Sequence, residues 1–108
     1  LNHKLYLERA NRRSDGAGGA VIEWQRIAAH WAQVNAENAR AITGEAAPIT
    51  RNLFTVMIRA MASQIQARPR AGDRFVFGAT RHLAIEAVTE ADPKGRYLRI
   101  ETTQEIAQ

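Results

Sequence analysis

Apolar and polar residues alternate with a period of two along most of this chain, which is the pattern of strands with one buried and one wet face. From His3 to Arg9, Leu5 and Leu7 point one way and Lys4, Tyr6 and Glu8 the other. Ala10 to Gly19 is polar and Gly-rich, hence a loop. Ala20 to Arg26 reads as a second strand with Ile22 and Trp24 on a common, core-facing side, and Ala29 to Asn35 as a third. Alternation resumes from Asn52 to Ala60, with Phe54, Val56 and Ile58 on one side and Thr55 and Arg59 on the other. Met61 to Ala71 reads as a connection, because Pro69 and the Arg68-Pro69-Arg70-Ala71-Gly72 cluster break regular structure, with a helix over 61–67 as the alternative. Arg74 to Phe77, a turn at Gly78-Ala79-Thr80, and Arg81 to Thr89 form a hairpin. Asp92-Pro93-Lys94-Gly95 supplies another turn, and Tyr97 to Thr103 a last strand with Leu98 and Ile100 inside.

The pattern fails between Asn35 and Thr50. Asn35, Asn38, Gly44 and Pro48 interrupt a run of alanines that offers no anchoring apolar face. A long loop is expected there, with a short helix over 36–42 as the alternative, because alanine favours helix. Loops of that length in small domains carry function or are disordered. About seven short antiparallel strands with turn signals between them predict a mainly β fold, a small barrel or sandwich. At 108 residues this is a single domain spanning 1–108.

Composition narrows the chemistry. No stretch approaches the roughly 20 apolar residues of a membrane-spanning helix. Leu1-Asn2-His3-Lys4 lacks the layout of a secretory signal, and a start at Leu implies a few residues ahead of it. The absence of cysteine removes disulfides, thiolate catalysis and Cys-type zinc sites. His3, His30 and His82 lie far apart, with no paired-ligand spacing, and are expected at the surface or an interface. Ser14 and Ser63 sit in no nucleophile elbow. Glu23, Glu86 and Glu101 read as the wet face of a sheet, paired with Arg across strands. The Gly16-Ala17-Gly18-Gly19 run lacks the Lys and helix of a phosphate loop and is a turn. No enzyme, metal or cofactor is indicated.

The basic residues are 13 Arg and 2 Lys in a net charge of +4. Arginine's planar fork of donors suits carboxylates and phosphates at interfaces. Arg12, Arg13, Arg40 and Arg51 lie in or beside the two irregular segments, and Arg68, Arg70 and Arg74 cluster around the third.

The order of these features resembles the phage head–tail joining family, also called head closure, stopper or head-tail adaptor proteins. The resemblance is carried by Leu1 to Glu8, by Asp15-Gly16-Ala17-Gly18-Gly19, by Trp24 and Trp31-Ala32, and by the loop with Thr43-Gly44-Glu45-Ala46. It continues through Phe54 to Arg59, Pro69 to Phe75 and Asp92 to Leu98, in a form most like the versions found in gene transfer agent particles. Met61 to Ala67 departs from the pattern, being longer and more apolar than the usual short turn.

The resemblance implies a barrel-like subunit that assembles, as a hexamer or dodecamer, into a ring in the neck of a particle built in the bacterial cytoplasm. Its implied partners are a portal-bound adaptor protein, a tail terminator protein and double-stranded DNA held in the channel without regard to sequence, with no membrane. The ring would retain packaged DNA and make or break no bond. On this reading Asn38, Arg40, Thr43, Gly44, Glu45 and Arg51 are candidates for a channel or gating loop. Arg12, Arg13, Arg68, Arg70 and Arg74 are candidates for a subunit or partner interface. The alternative is a small β-barrel nucleic-acid-binding protein acting outside a particle. That protein would bind DNA as a monomer, with affinity falling steeply as salt rises.

Overall fold

A computed structural model describes residues 2–37, 40–42, 49–78 and 81–107. These form seven strands: β1 (His3–Ser14), β2 (Ala20–Ala36), β3 (Arg40–Ile42), β4 (Ile49–Arg59), β5 (Arg74–Phe77), β6 (Arg81–Glu90) and β7 (Tyr97–Ala107). All pairings are antiparallel, in the order β2-β1-β5-β6-β7-β4-β3, and a further β2–β4 pairing closes the sheet on itself. Six strands therefore make a ring of pairings, with β3 attached outside it to β4. Closure removes exposed sheet edges within this belt. Among the described residues there is no helix.

The core is the inward half of each alternating strand. Leu5 and Leu7 of β1, Val56 and Ile58 of β4, Phe75 of β5, Leu83 and Ile85 of β6, and Leu98 and Ile100 of β7 are buried, with Ala32 from β2. Phe54, Val34, Ile27 and Val88 pack against them. Thr102 is buried too, but its hydroxyl donates to the Phe54 carbonyl at 3.1 Å, so no polar group is stranded.

Two sequence expectations are corrected. The separate strands expected at 20–26 and 29–35 are one strand of 17 residues, β2. Its register against β1 shifts where Leu7 pairs with Ala28 but Glu8 pairs with Arg26, leaving Ile27 as the extra residue of a bulge. A one-residue slip exchanges the faces of everything beyond it. Ala28, His30 and Ala32 follow the inward phase of Leu7 and Leu5, whereas Arg26, Trp24 and Ile22 follow the outward phase of Glu8. Trp24 and Ile22, expected in the core, are thus 39% and 50% exposed.

The second correction concerns the segment expected to be a long loop or short helix. Arg40–Ile42 is a strand, paired through Arg40↔Arg51, Ala41↔Thr50 and Ile42↔Ile49 with a β4 that begins earlier than alternation suggested. Asn38, Thr43, Gly44 and Glu45 lie outside the described residues.

Candidate interaction surfaces

Antiparallel pairing sorts the connections to two ends of the closed sheet. The β1–β2 turn (15–19), the β4–β5 connection (60–73) and the β6–β7 turn (91–96) share one end. The segment from β2 through β3 to β4, the β5–β6 turn and the end of β7 share the other. Each end carries a projecting arm. At the first, β1 and β2 continue as a two-stranded ribbon past the level of Glu8, where β5 stops pairing, and residues 10–26 are all exposed. At the second, β3, β4 and β7 run on below Ala36↔Phe54 and Ala84↔Thr103, where β2 and β6 stop pairing. Each arm is some five residues long, about 17 Å at strand rise.

The turn that tips the first arm is held by Asp15. Its Oδ1 accepts the backbone N–H groups of Ala17 at 2.8 Å and Gly19 at 3.0 Å. Those two bonds, Ala17 first, hold the Asp15 carboxyl below its ordinary value. Gly16 and Gly18 adopt φ of 81° and 85°, a region that disfavours a Cβ, which is why the motif needs glycine there. The glycine run is therefore the turn expected from the sequence.

The five arginines proposed for an interface all lie at this first end, with different attachments. Arg12 and Arg13 are exposed on the arm, and Arg13 pairs with Glu23 across it. Arg70 is exposed, while its backbone N–H donates to Asp73. Arg68 and Arg74 are half-buried props rather than a free rim. Arg68 donates to the Met61 carbonyl, and Arg74 donates to Glu8 at 2.8 Å. Of the gating candidates, Arg40 and Arg51 are backbone partners at the opposite end.

The arm's base is fixed by a buried ion pair absent from the sequence reading. Asp73, 5% exposed, receives Arg9 Nη2 at 2.9 Å and Nε at 3.1 and 3.2 Å. Arg9 also donates to the carbonyls of Gln66 and Arg68, and so ties β1 to the β4–β5 connection. His30, expected at the surface or an interface, is half-buried and donates Nε2–H to the Ala67 carbonyl at 2.7 Å. Burial holds the His30 imidazole below its ordinary value, with the Ala67 bond opposing in part. At the β6–β7 turn, the Arg96 side chain bonded to Asp92 holds that carboxyl low.

Outward residues of β1, β2 and β5 form a continuous aromatic and cationic array. Arg26 lies 4.1 Å over the Tyr6 ring and reaches Glu8 at 3.5 Å. Glu8 holds Arg74, whose guanidinium lies 4.1 Å over Trp24. Lys4 Nζ lies 5.6 Å from the Tyr6 ring centroid, and its strand partner Trp31 is 59% exposed. Alternation marked Lys4, Tyr6 and Glu8 as a wet face, but the partners come from elsewhere in the chain. Among the described residues no group of three or more His, Asp or Glu could hold a metal ion, and no helix is long and apolar enough to cross a membrane.

Comparison with known proteins agrees with the resemblance seen in the sequence. A family model described as phage head completion protein matches residues 1–105. A chain from a solved structure of the virion of a native gene transfer agent (GTA) particle superposes with a TM-score of 0.87 at 38% identity. The match covers 100% of this chain and 97% of that one. No curated protein sequence matches significantly.

Proposed function

The chain belongs to the phage head completion protein family, a structural component of the particle at the head–tail junction, and we propose that it acts there as a ring-forming stopper subunit. The observation that carries this reading is the placement of two arms on opposite ends of a closed sheet. A connector must engage a different neighbour at each end while keeping its own shape, and a belt without free edges supplies the rigid middle. The first arm, with Arg12 and Arg13, is directed at one neighbour. The segment around β3, with Arg40 and Arg51, is directed at the channel or the other neighbour. Six or twelve copies of a chain with net charge +4 would surround DNA with a cationic lumen. Contacts to phosphates of that kind position a duplex without reading its bases.

The gate in this reading is the segment 35–50, and deletion of 38–47 tests it. Deleting 38–47 removes β3 but none of the buried core among the described residues. The variant is expected to fold and join heads to tails, while purified particles lose DNA to nuclease. Particles that retain DNA fully after the deletion would refute the gate. Failure of the undeleted chain to be found at the neck by electron microscopy would refute the stopper role itself.

A further inference from the structure

A groove on the outer side of β4, β7 and β6 is lined mostly by carboxylates where it is charged. In the closed order β1-β2-β4-β7-β6-β5, β7 lies across from β1, with β4 and β6 beside it. Outward residues of these strands, with the end of β2, line a groove of about 700 Å³. Glu37, Glu86 and Glu101 contribute three carboxylates, and Arg99 is the one cation among the described residues of the lining. Glu86 is placed there by a bulge, where β6 pairs Ile85 with Thr102 but Ala87 with Glu101. Glu37 and Glu86 each accept a hydroxyl, from Thr55 at 3.0 Å and Thr103 at 2.9 Å, which fixes their orientation and leaves their charge in place. None of the three forms an ion pair among the described residues. Half-buried Leu53 and Met57 give the groove an apolar floor.

We propose that this groove receives the β1–β2 array of a second copy of the chain, and that repetition of this contact builds the ring. The proposal rests on the ring-forming reading above and specifies the surfaces it uses. Lys4 and Arg26 meet the three glutamates, with Arg74 held behind them by Glu8, while Trp31 and Trp24 bring the aromatic area that dominates contact energies toward Leu53 and Met57. The two surfaces are different parts of one chain. Joining them gives a heterologous contact, which propagates until rotation closes it. A two-fold dimer through either surface alone would set like charge against like, which complementary interfaces avoid.

The cysteine-free chain allows a direct test. Ala29→Cys places a thiol beside the array, at the strand partner of Tyr6, and Arg99→Cys places one in the groove. A bis-maleimide link closed within one subunit leaves a monomer, so the mixture of single variants, in which only a link between subunits can form, serves as the control. The double variant at up to about 1 mM, and in purified particles, should give a ladder of multimers. A mixture of the single variants should stop at dimers, and each single variant alone should give none. In parallel, Lys4→Glu with Arg26→Glu, or Glu86→Lys with Glu101→Lys, should each weaken association about tenfold or more, and all four together should restore it. Unchanged melting temperatures check that these exposed substitutions leave the fold intact.

Cross-linking of Ala29→Cys to itself, no ladder in either setting, or no recovery in the four-fold variant overturns the proposal. So does a Trp31→Ala variant that loses DNA binding while associating normally, since the array would then be a nucleic-acid surface. A chain present at the neck without a ladder refutes this contact alone. A chain absent from the neck refutes the stopper reading.

Discussion

Asp73→Ala tests whether the arm's base is held as the geometry indicates. The substitution removes three Arg9 contacts, two to Oδ2 and one to Oδ1, and the acceptor of the Arg70 N–H. It leaves Arg9, whose side chain is 19% exposed, beside the carbonyls of Gln66 and Arg68 with its counter-charge gone. Breaking a buried ion pair from one side costs about 3–5 kcal/mol. Partial access of water to Arg9 and its two remaining carbonyl partners put this case at the lower end, about 3 kcal/mol. Against the roughly 5–15 kcal/mol of a small domain, that loss would move the urea midpoint substantially. The assay is urea unfolding of wild type, Asp73→Ala, Arg9→Ala and the double variant. The double variant should be far less damaged than the sum of the singles, with a coupling of about 2 kcal/mol, within the range for residues in direct contact. A loss below about 0.5 kcal/mol, or additivity within about 0.5 kcal/mol, would refute the role assigned to the pair.

Two further outcomes follow from the same structure. Trp24→Ala should cost less than about 1 kcal/mol of stability, against the 3–5 kcal/mol typical of a buried aromatic, because the side chain lies outside the core; a core-sized loss in urea would overturn the bulge-driven change of face. His30 should make the fold sensitive to mild acid. Because burial holds its imidazole low, the unfolded chain binds the extra proton between the lowered value and the ordinary 6.5. Its contribution is complete above pH 6.5 and is lost as pH falls through that window. His30→Gln should flatten that part of the stability–pH curve, and an unchanged slope would show the effect lies elsewhere.

What the sequence disclosed and what it concealed divide at the bulges. Leu5 and Leu7, Phe54 to Ile58, and Leu98 with Ile100 were legible because a closed sheet keeps strict inside–outside parity along an unbroken strand. At Ile27 that parity reverses, and nothing in Gln25-Arg26-Ile27-Ala28 signals it. The error therefore fell on Ile22 and Trp24 together, as a register slip requires. The strand at Arg40–Ile42 was hidden for another reason: an alanine-rich segment has no alternation to display, and its pairing is supplied by β4. Among the arginines, sequence located the clusters but could not separate props from free side chains. Arg74 is held by Glu8, 66 positions away, and Arg9 by Asp73, 64 away.

The length of β2 bears on how stability and assembly are divided. Strands in globular proteins average about five or six residues, and β2 has 17. Only its lower half, from Ile27 through Ala32 to Val34, meets the core. The upper half is paired on one side to β1 and exposed throughout, and a two-stranded ribbon alone is marginal in water. Its local supports are the Asp15 turn at the tip, Arg13 with Glu23 along it, and Arg9 with Asp73 at its base. Charged pairs on an exposed ribbon contribute little, so in the connector role proposed above the neighbour that covers the arm would supply most of its order. Apolar side chains such as Val21 and Ile22, about half exposed on opposite faces, are then contact surface held in reserve. Folding depends on the belt, and in the proposed role joining depends on what projects from it.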